Sequence, residues 1–276
     1  MRSLMVLSLF ALALPACAQD AVGAQDGHSD SVRAALVAGV DAFKTGHYEE
    51  AASDFQSAVD TEPTSRMARI YLGTALAYQV VPNLDTPENV TIANRAISQF
   101  NQILASNPQD LDALRQVASI QRNVKRFDDA LVTERKIIAI DPNDAEAHYT
   151  IGVIEWTDAY KTAVQTLGNE SLQDDGNGNA HMSGATCASL ISNNTVLVND
   201  GIAELTRAVE IRPTYDDAMS YLNLMYRRRA DFDCNNPTQR EKDLETANEW
   251  IRRAVEARRA NEQQKMQQAR DSSTLN

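Results

Sequence analysis

The sequence predicts an all-α solenoid of about five helix-turn-helix repeats interrupted by loop insertions. Three observations carry that expectation. The first is a helical face that returns along the chain: Ala51, Phe55 and Ala58 closed by Pro63, then Ala96, Phe100 and Ile103 closed by Pro108. It returns as Ala130, Glu134, Ile137 and Pro142, as Gly201, Leu205, Ala208 and Pro213, and loosely as Ala247, Ile251 and Ala254. Spacing of i, i+4 and i+7 stacks these residues on one side of a helix, and proline ends it. The second is a small residue near the middle of each preceding helix, at Gly39, Gly73, Ala118 and Gly152, with Asn223 in the fifth repeat. The third is the period: Gly39 to Gly73, Ala118 to Gly152 and Pro108 to Pro142 are each 34 residues. A helix pair that cannot bury its own apolar face must stack on its neighbours.

Taken in order, residues 1–18 read as a signal peptide. Arg2 precedes the apolar run Leu4–Leu14, which is too short to span a bilayer, and Ala16-Cys17-Ala18 supplies a small-x-small cleavage site ahead of Gln19. Leu14-Pro15-Ala16-Cys17 also resembles a lipobox, so lipidation at Cys17 stands as the alternative, with Pro15 as its misfit. Residues 19–30 are polar and Gly/Asp-rich, the composition of a flexible leader. The solenoid is expected over residues 31–260 and a frayed polar tail over residues 261–276.

Three repeats are longer than the period allows. Where Gly39 to Ala51 takes 12 residues, Gly73 to Ala96 takes 23, Gly152 to Gly201 takes 49 and Asn223 to Ala247 takes 24. Each insertion falls between the two helices of its repeat, which puts all three on one edge of a stacked array. The first, with Pro82 and Pro87, reads as a loop near Gln79–Thr91. The second reads as an extension of the first helix through Tyr160 and Val164, then loops over Asp174–Asn179 and Ser183–Asn194. The third contains Cys234 and Pro237.

Across Ser31–Arg259 the period, the small-residue and Ala-aromatic-Ala faces and the closing prolines resemble the tetratricopeptide-repeat (TPR) family. The fifth repeat, DDAMSYLNLMYRRRADFDC, looks like exported TPR proteins of bacteria. The resemblance implies a right-handed superhelix whose first helices line a concave groove that binds a peptide or a partner's helix. The matching groove positions are Leu36, Val40 and Phe43; Ile70, Thr74 and Tyr78; Arg115, Ser119 and Arg122; Tyr149, Val153 and Trp156; and Leu224, Arg227 and Arg228. Of these, Phe43, Tyr78, Arg115, Arg122, Tyr149, Trp156, Arg227 and Arg228 are the expected contact residues, since Tyr, Trp and Arg most often anchor interfaces. The Lys/Asn set with which chaperone-binding TPR domains clamp a terminal carboxylate is not matched.

Other constellations say less about chemistry. With 26 basic and 38 acidic residues the net charge is −12, and −13 once Arg2 is removed with the signal, which disfavours nucleic acid. Cys187 and Cys234, in insertions of successive repeats, are expected to pair in an oxidising compartment. His28, His47, His148 and His181 are isolated from one another, so no metal site is expected, and Asp174–Asn179 lacks the ligand alternation and closing glutamate of a calcium loop and reads as a mobile linker. No phosphate loop or nucleophile set is present, and no cofactor or catalytic residue is assigned. The reading is therefore an exported, non-catalytic scaffold in the periplasm or cell envelope of a bacterium, with a protein or peptide partner and membrane attachment only through Cys17. Two alternatives remain: an outer-membrane lipoprotein adaptor in envelope assembly, and an enzyme or small-ligand binder using the fourth-repeat insertion as a lid over Trp156.

Overall fold

A computed structural model describes residues 29–273, so the signal segment, Cys17 and nearly all of the leader lie outside the described residues. The described residues form ten helices and no strand. Two compact units divide the chain after Thr133.

The first unit holds α1 (Asp30–Lys44), α2 (Tyr48–Thr61), α3 (Arg66–Gln79), α4 (Pro87–Ser106), α5 (Leu111–Asn123) and the start of α6 (Phe127–Ile140). Short oxygen-bearing side chains open four of these helices. Ser29, Ser65, Thr86 and Asp110 each accept a hydrogen bond from a first-turn amide, satisfying donors the helix cannot. The chain turns from α1 to α2 through Gly46, at φ 82°. The glycines inside helices serve contact. A Cβ on Gly39 would come within 2.5 Å of the Phe55 ring, and one on Gly73 within 2.7 Å of Phe100. Each small residue thus receives the large residue of its own repeat, and Phe55 and Phe100 are wholly buried.

The first insertion is only partly a loop. The loop covers residues 80–86, and Pro87 opens α4 as its first residue, where a missing N–H costs nothing. Asn89, 4 % exposed, ties the loop down: its Oδ1 accepts from the Val81 amide, and its Nδ2 donates to the carbonyls of Val81 and Leu84.

The second unit holds the rest of α6, then α7 (Ala145–Gly168), α8 (Gly184–Ile211), α9 (Asp216–Ala230) and α10 (Pro237–Ser273). Its long insertion lengthens both helices of the fourth repeat. The expected extension of α7 through Val164 is present, but Ser183–Asn194 is helix from Gly184 onward. Ser183 caps α8, and Cys187, Leu190, Asn194, Val198, Gly201, Leu205 and Ala208 form one continuous buried row. Asn194 fits that row because its Nδ2 donates to the carbonyl of Ala159 at 2.9 Å. Beyond the repeat proper, Ala163, Leu167 and Leu190 close a small core of their own, with Leu172 and Met182 against it. The final helix continues to Ser273, past the position where the sequence suggests a tail. Its buried row is Asp243, Ala247 and Ala254, whereas Ile251, expected on the recurring apolar face, is exposed, as is Val255.

Candidate partner-binding faces

In the first unit the groove positions divide in two. Leu36, Val40 and Thr74 are buried and belong to the packing between helices. Phe43 and Tyr78 are half-buried and meet edge to face at 4.8 Å. Tyr48, which the sequence did not single out, completes a three-ring cluster at 5.1 Å from Phe43 and 5.0 Å from Tyr78. Burial and the neighbouring Tyr48 raise the Tyr78 phenol above its usual pKa, so the cluster is neutral and apolar in character. On α5, Arg115 is exposed and Arg122 half-buried.

The second unit carries a larger aromatic assembly. Tyr149 contacts Tyr215 at 4.8 Å and Tyr221 at 5.9 Å, and Tyr221 also makes a T-shaped contact with Trp156 at 5.3 Å. Trp156 in turn stacks on Tyr160, with ring planes 16° apart. Tyr149, Trp156, Tyr160 and Val164 follow one side of α7, and the last two are each 42 % exposed. Tyr215 closes the buried end: its hydroxyl donates to Glu146 at 2.7 Å, and the Arg212 guanidinium lies 4.2 Å above its ring. Burial, then the Glu146 carboxylate, pushes this phenol far above its ordinary range. Trp156 thus has one side packed and the other continued by an exposed tyrosine.

Arg227 and Arg228 serve a different purpose from the one expected of them. Arg228 is 3 % exposed and pairs with Asp174 at 2.5 Å and Asp231 at 3.0 Å. Arg227 donates to the carbonyl of Gly176, to Asn177 and to Asn248. Both arginines are committed to holding the fourth-repeat insertion on α9 and α10. Asp174–Asn179 is accordingly an ordered loop: Asn179 is buried and donates to Asp231 at 2.8 Å, and Gly178, at φ 84°, lies where a Cβ would meet Arg240 at 2.5 Å. Asp174 receives a guanidinium where a calcium loop would receive an ion, and Asp175 accepts hydrogen bonds from the backbone amides of Asn177 and Asn179. No group of three or more His, Cys, Asp or Glu side chains among the described residues is arranged to hold a metal. Burial raises the Asp231 carboxyl to about 7, outweighing Arg228 and Asn179. Cys187 and Cys234 are joined by a disulfide with Cα atoms 6.2 Å apart, as their placement on neighbouring insertions predicts.

One buried carboxyl was not legible as such in the sequence. Glu155 on α7 is 3 % exposed; Arg135 donates to its Oε1 at 2.9 Å, and its Oε2 has no hydrogen-bond partner. Burial, reinforced by the nearby carboxylates of Asp200 and Glu204 against the pull of Arg135, raises it to about 8. Glu204 is itself bonded to His148 Nδ1 at 2.5 Å, and the other ring nitrogen of His148 lies 3.2 Å from the Pro142 carbonyl.

Small-to-large packing recurs in three helix pairs, Gly39 with Phe55, Gly73 with Phe100 and Gly152 with Leu205, and the described helices have a fold similar to that of tetratricopeptide-repeat solenoids. Residues 36–79 match the tetratricopeptide repeat family model. Among solved structures, MamA from Desulfovibrio magneticus RS-1 (its residues 41 to the end) is 18 % identical, with 84 % of this chain and 97 % of that chain covered at a TM-score of 0.54. Another MamA crystal structure is 12 % identical, covering 85 % of this chain and 95 % of that one at a TM-score of 0.56. No curated protein sequence matches the chain. At these identities the likeness is one of fold.

Proposed function

We propose that the protein is a non-catalytic interaction scaffold, exported to the bacterial cell envelope, that holds a segment of a partner protein against the first helices of its repeats. The observation that carries this reading is the aromatic row on α7, in which Trp156 is half-covered and Tyr160 and Val164 extend it into solvent. Aromatic side chains that are rigid, apolar and partly exposed supply contact area at small entropic cost. In the first unit, Phe43, Tyr48 and Tyr78 form a smaller surface of the same kind, and exposed Arg115 suits a segment bearing carboxylates. The signal-length apolar run before Ala16-Cys17-Ala18 and the paired cysteines support export, with attachment through Cys17 as the lipoprotein form of the same scaffold.

The test begins with a pull-down from envelope extract and mass spectrometry, followed by affinity measurements on the captured partner. Trp156→Ala and Tyr160→Ala are expected to weaken binding by roughly 1–3 kcal/mol each. Tyr160, at 42 % exposure, is the cleaner probe, because its loss leaves the core intact. Full affinity in Tyr160→Ala and in folded Trp156→Ala would remove this face from consideration. N-terminal sequencing of envelope protein is expected to find Gln19, or a lipid on Cys17.

A further inference from the structure

Internal junctions between repeats show which residues stack one repeat on the next. Between the first and second repeats, Phe55 of α2 packs on Tyr71 of α3 with ring centroids 5.2 Å apart. On the α2 side, Phe55 and Val59 are 0 % and 6 % exposed; on the α3 side, Ala68, Tyr71 and Leu72 are at most 2 % exposed. The 34-residue offset places Ala34, Val37 and Ala38 of α1 at the positions of Ala68, Tyr71 and Leu72. The offset that aligns Ala51 with Ala247 places Ile251 and Val255 of α10 at the positions of Phe55 and Val59. The terminal repeats therefore keep apolar stacking rows. Val37 is 41 % exposed with Ala34 and Ala38 exposed beside it, and Ile251 and Val255 are 39 % and 42 % exposed. Terminal repeats of such arrays ordinarily need a polar outer face.

The charges beside the two rows are opposite. Residues 29–63 contain seven acidic and two basic residues, net −5, in which Asp41 stands where α3 has Ala75. Residues 251–273 contain six basic and three acidic residues, net +3, and Arg252 and Arg259 flank Ile251 and Val255. We propose that α10 of one copy stacks on α1 of a second copy, Ile251 and Val255 against Val37 and its alanines, with Arg252 and Arg259 meeting Asp41 and the acidic first repeat. The occupant of each row is thus this same chain. Such a contact is heterologous, so it joins copies head to tail.

The experiment is sedimentation velocity on the chain from Gln19 onward, with Val37→Arg blocking one row and Val255→Asp the other. Wild type is expected to gain mass with concentration, and to lose that gain at high salt as the charges are screened. Each blocked variant alone is expected to be a monomer. An equimolar mixture is expected to form a complex of two chains and no larger, since each variant keeps one complementary row. Circular dichroism verifies the fold of both, and the charge exchange Asp41→Arg with Arg259→Asp, each weakening association alone and restoring it when mixed, repeats the test without touching the apolar rows. A wild-type chain that stays monomeric at every concentration overturns the proposal. So does a single blocked variant that still dimerises, or a mixture that does not combine.

Discussion

In the first unit Gly39 receives Phe55 and Gly73 receives Phe100, and the buried residues that close its repeats are mainly apolar. In the second unit the same repeat position sets Gly152 against Leu205, but one repeat on, Asn223 reaches the carbonyl of Ala247 instead. The buried polar residues are likewise concentrated in the second unit, among them Glu155, Asn194, Arg228, Asp231 and Asp243. The difference follows from length. An internal repeat of ordinary length has a neighbour for every apolar face, whereas a repeat with a long insertion has helix ends and a loop that no neighbour covers. The second unit holds these by directed contacts: the Cys187–Cys234 disulfide, the Arg228 pairs with Asp174 and Asp231, and the Arg229 pair with Asp243 at 2.6 Å. Directed contacts fix geometry, and they also respond to pH and reductant, to which an apolar junction is indifferent.

The largest expected effect tests the apolar half of that contrast. Phe100→Ala should destabilise the first unit by roughly 3–5 kcal/mol, because a wholly buried ring is deleted and Gly73 opposite has no side chain to fill the space. Chemical denaturation should show the loss, unchanged between pH 5 and pH 8.5 and by added reductant. A loss that varied with either would mean that the two units are not stabilised in different ways.

Reducing the Cys187–Cys234 bond comes next. Opening a loop with a sequence separation of 47 should cost about 2–4 kcal/mol, since the crosslink restricts the unfolded chain. Helicity should survive, because the cores of both units are built without the cysteine pair, and the melting transition should move down for the second unit alone. Equal melting with and without reductant would show that the ion pairs suffice to hold the insertion.

The repeat period, the small residues of the first helices and the Ala-aromatic-Ala face were legible in the sequence because they are local or recur at a fixed interval. The features that escaped it depend on partners far along the chain. Asn193-Asn194 has the composition of a loop, and only the carbonyl of Ala159, 35 residues away, makes Asn194 a helix-interior residue. Pro87 reads as a loop breaker until it is seen at the first position of α4. Arg227 and Arg228 occupy groove positions in the repeat pattern, but the acidic loop that claims them is about 50 residues upstream. Trp156 and Tyr149 were found by pattern, whereas Tyr160 and Tyr221 join them only through ring contacts in the folded chain, as Tyr48 joins Phe43 and Tyr78.

A smaller effect isolates the buried carboxyl. Glu155 is raised from 4.5 to about 8 in the folded chain, so native protein retains a proton that unfolded protein loses across that window. Stability should therefore fall as pH rises from about 4.5 to about 8 and level off above it. Glu155→Gln keeps an oxygen for Arg135 and removes the ionisation. It should equal wild type near pH 4.5 and exceed it at pH 8.5 by roughly 1–3 kcal/mol, the scale of leaving a buried polar group unpartnered. A constant difference across pH would assign Glu155 an ionised state throughout.

The smallest expected effect concerns the end of α10. Arg258 bonds Asp216 and Asp217, and Asn261 donates to the Thr214 carbonyl and to Asp216, so the helix is fastened to α9 and to the turn before it as far as Asn261. From Glu262 to Ser272 every residue is exposed, and the bonds from Gln267 to Asp271 and from Ser272 to Gln268 are local to the helix. A segment of that kind remains helical through propensity and through continuity with a docked helix, and it adds little to the core. Deleting the residues after Asn261 should thus leave unfolding free energy within about 0.5 kcal/mol of the whole chain, while lowering the helical signal in circular dichroism. Asn261→Ala, which deletes no helix but removes both side-chain bonds, should cost more, roughly 1 kcal/mol. If the order is reversed, residues beyond Asn261 contribute to the second unit, and its directed contacts extend further along α10 than Arg258 and Asn261.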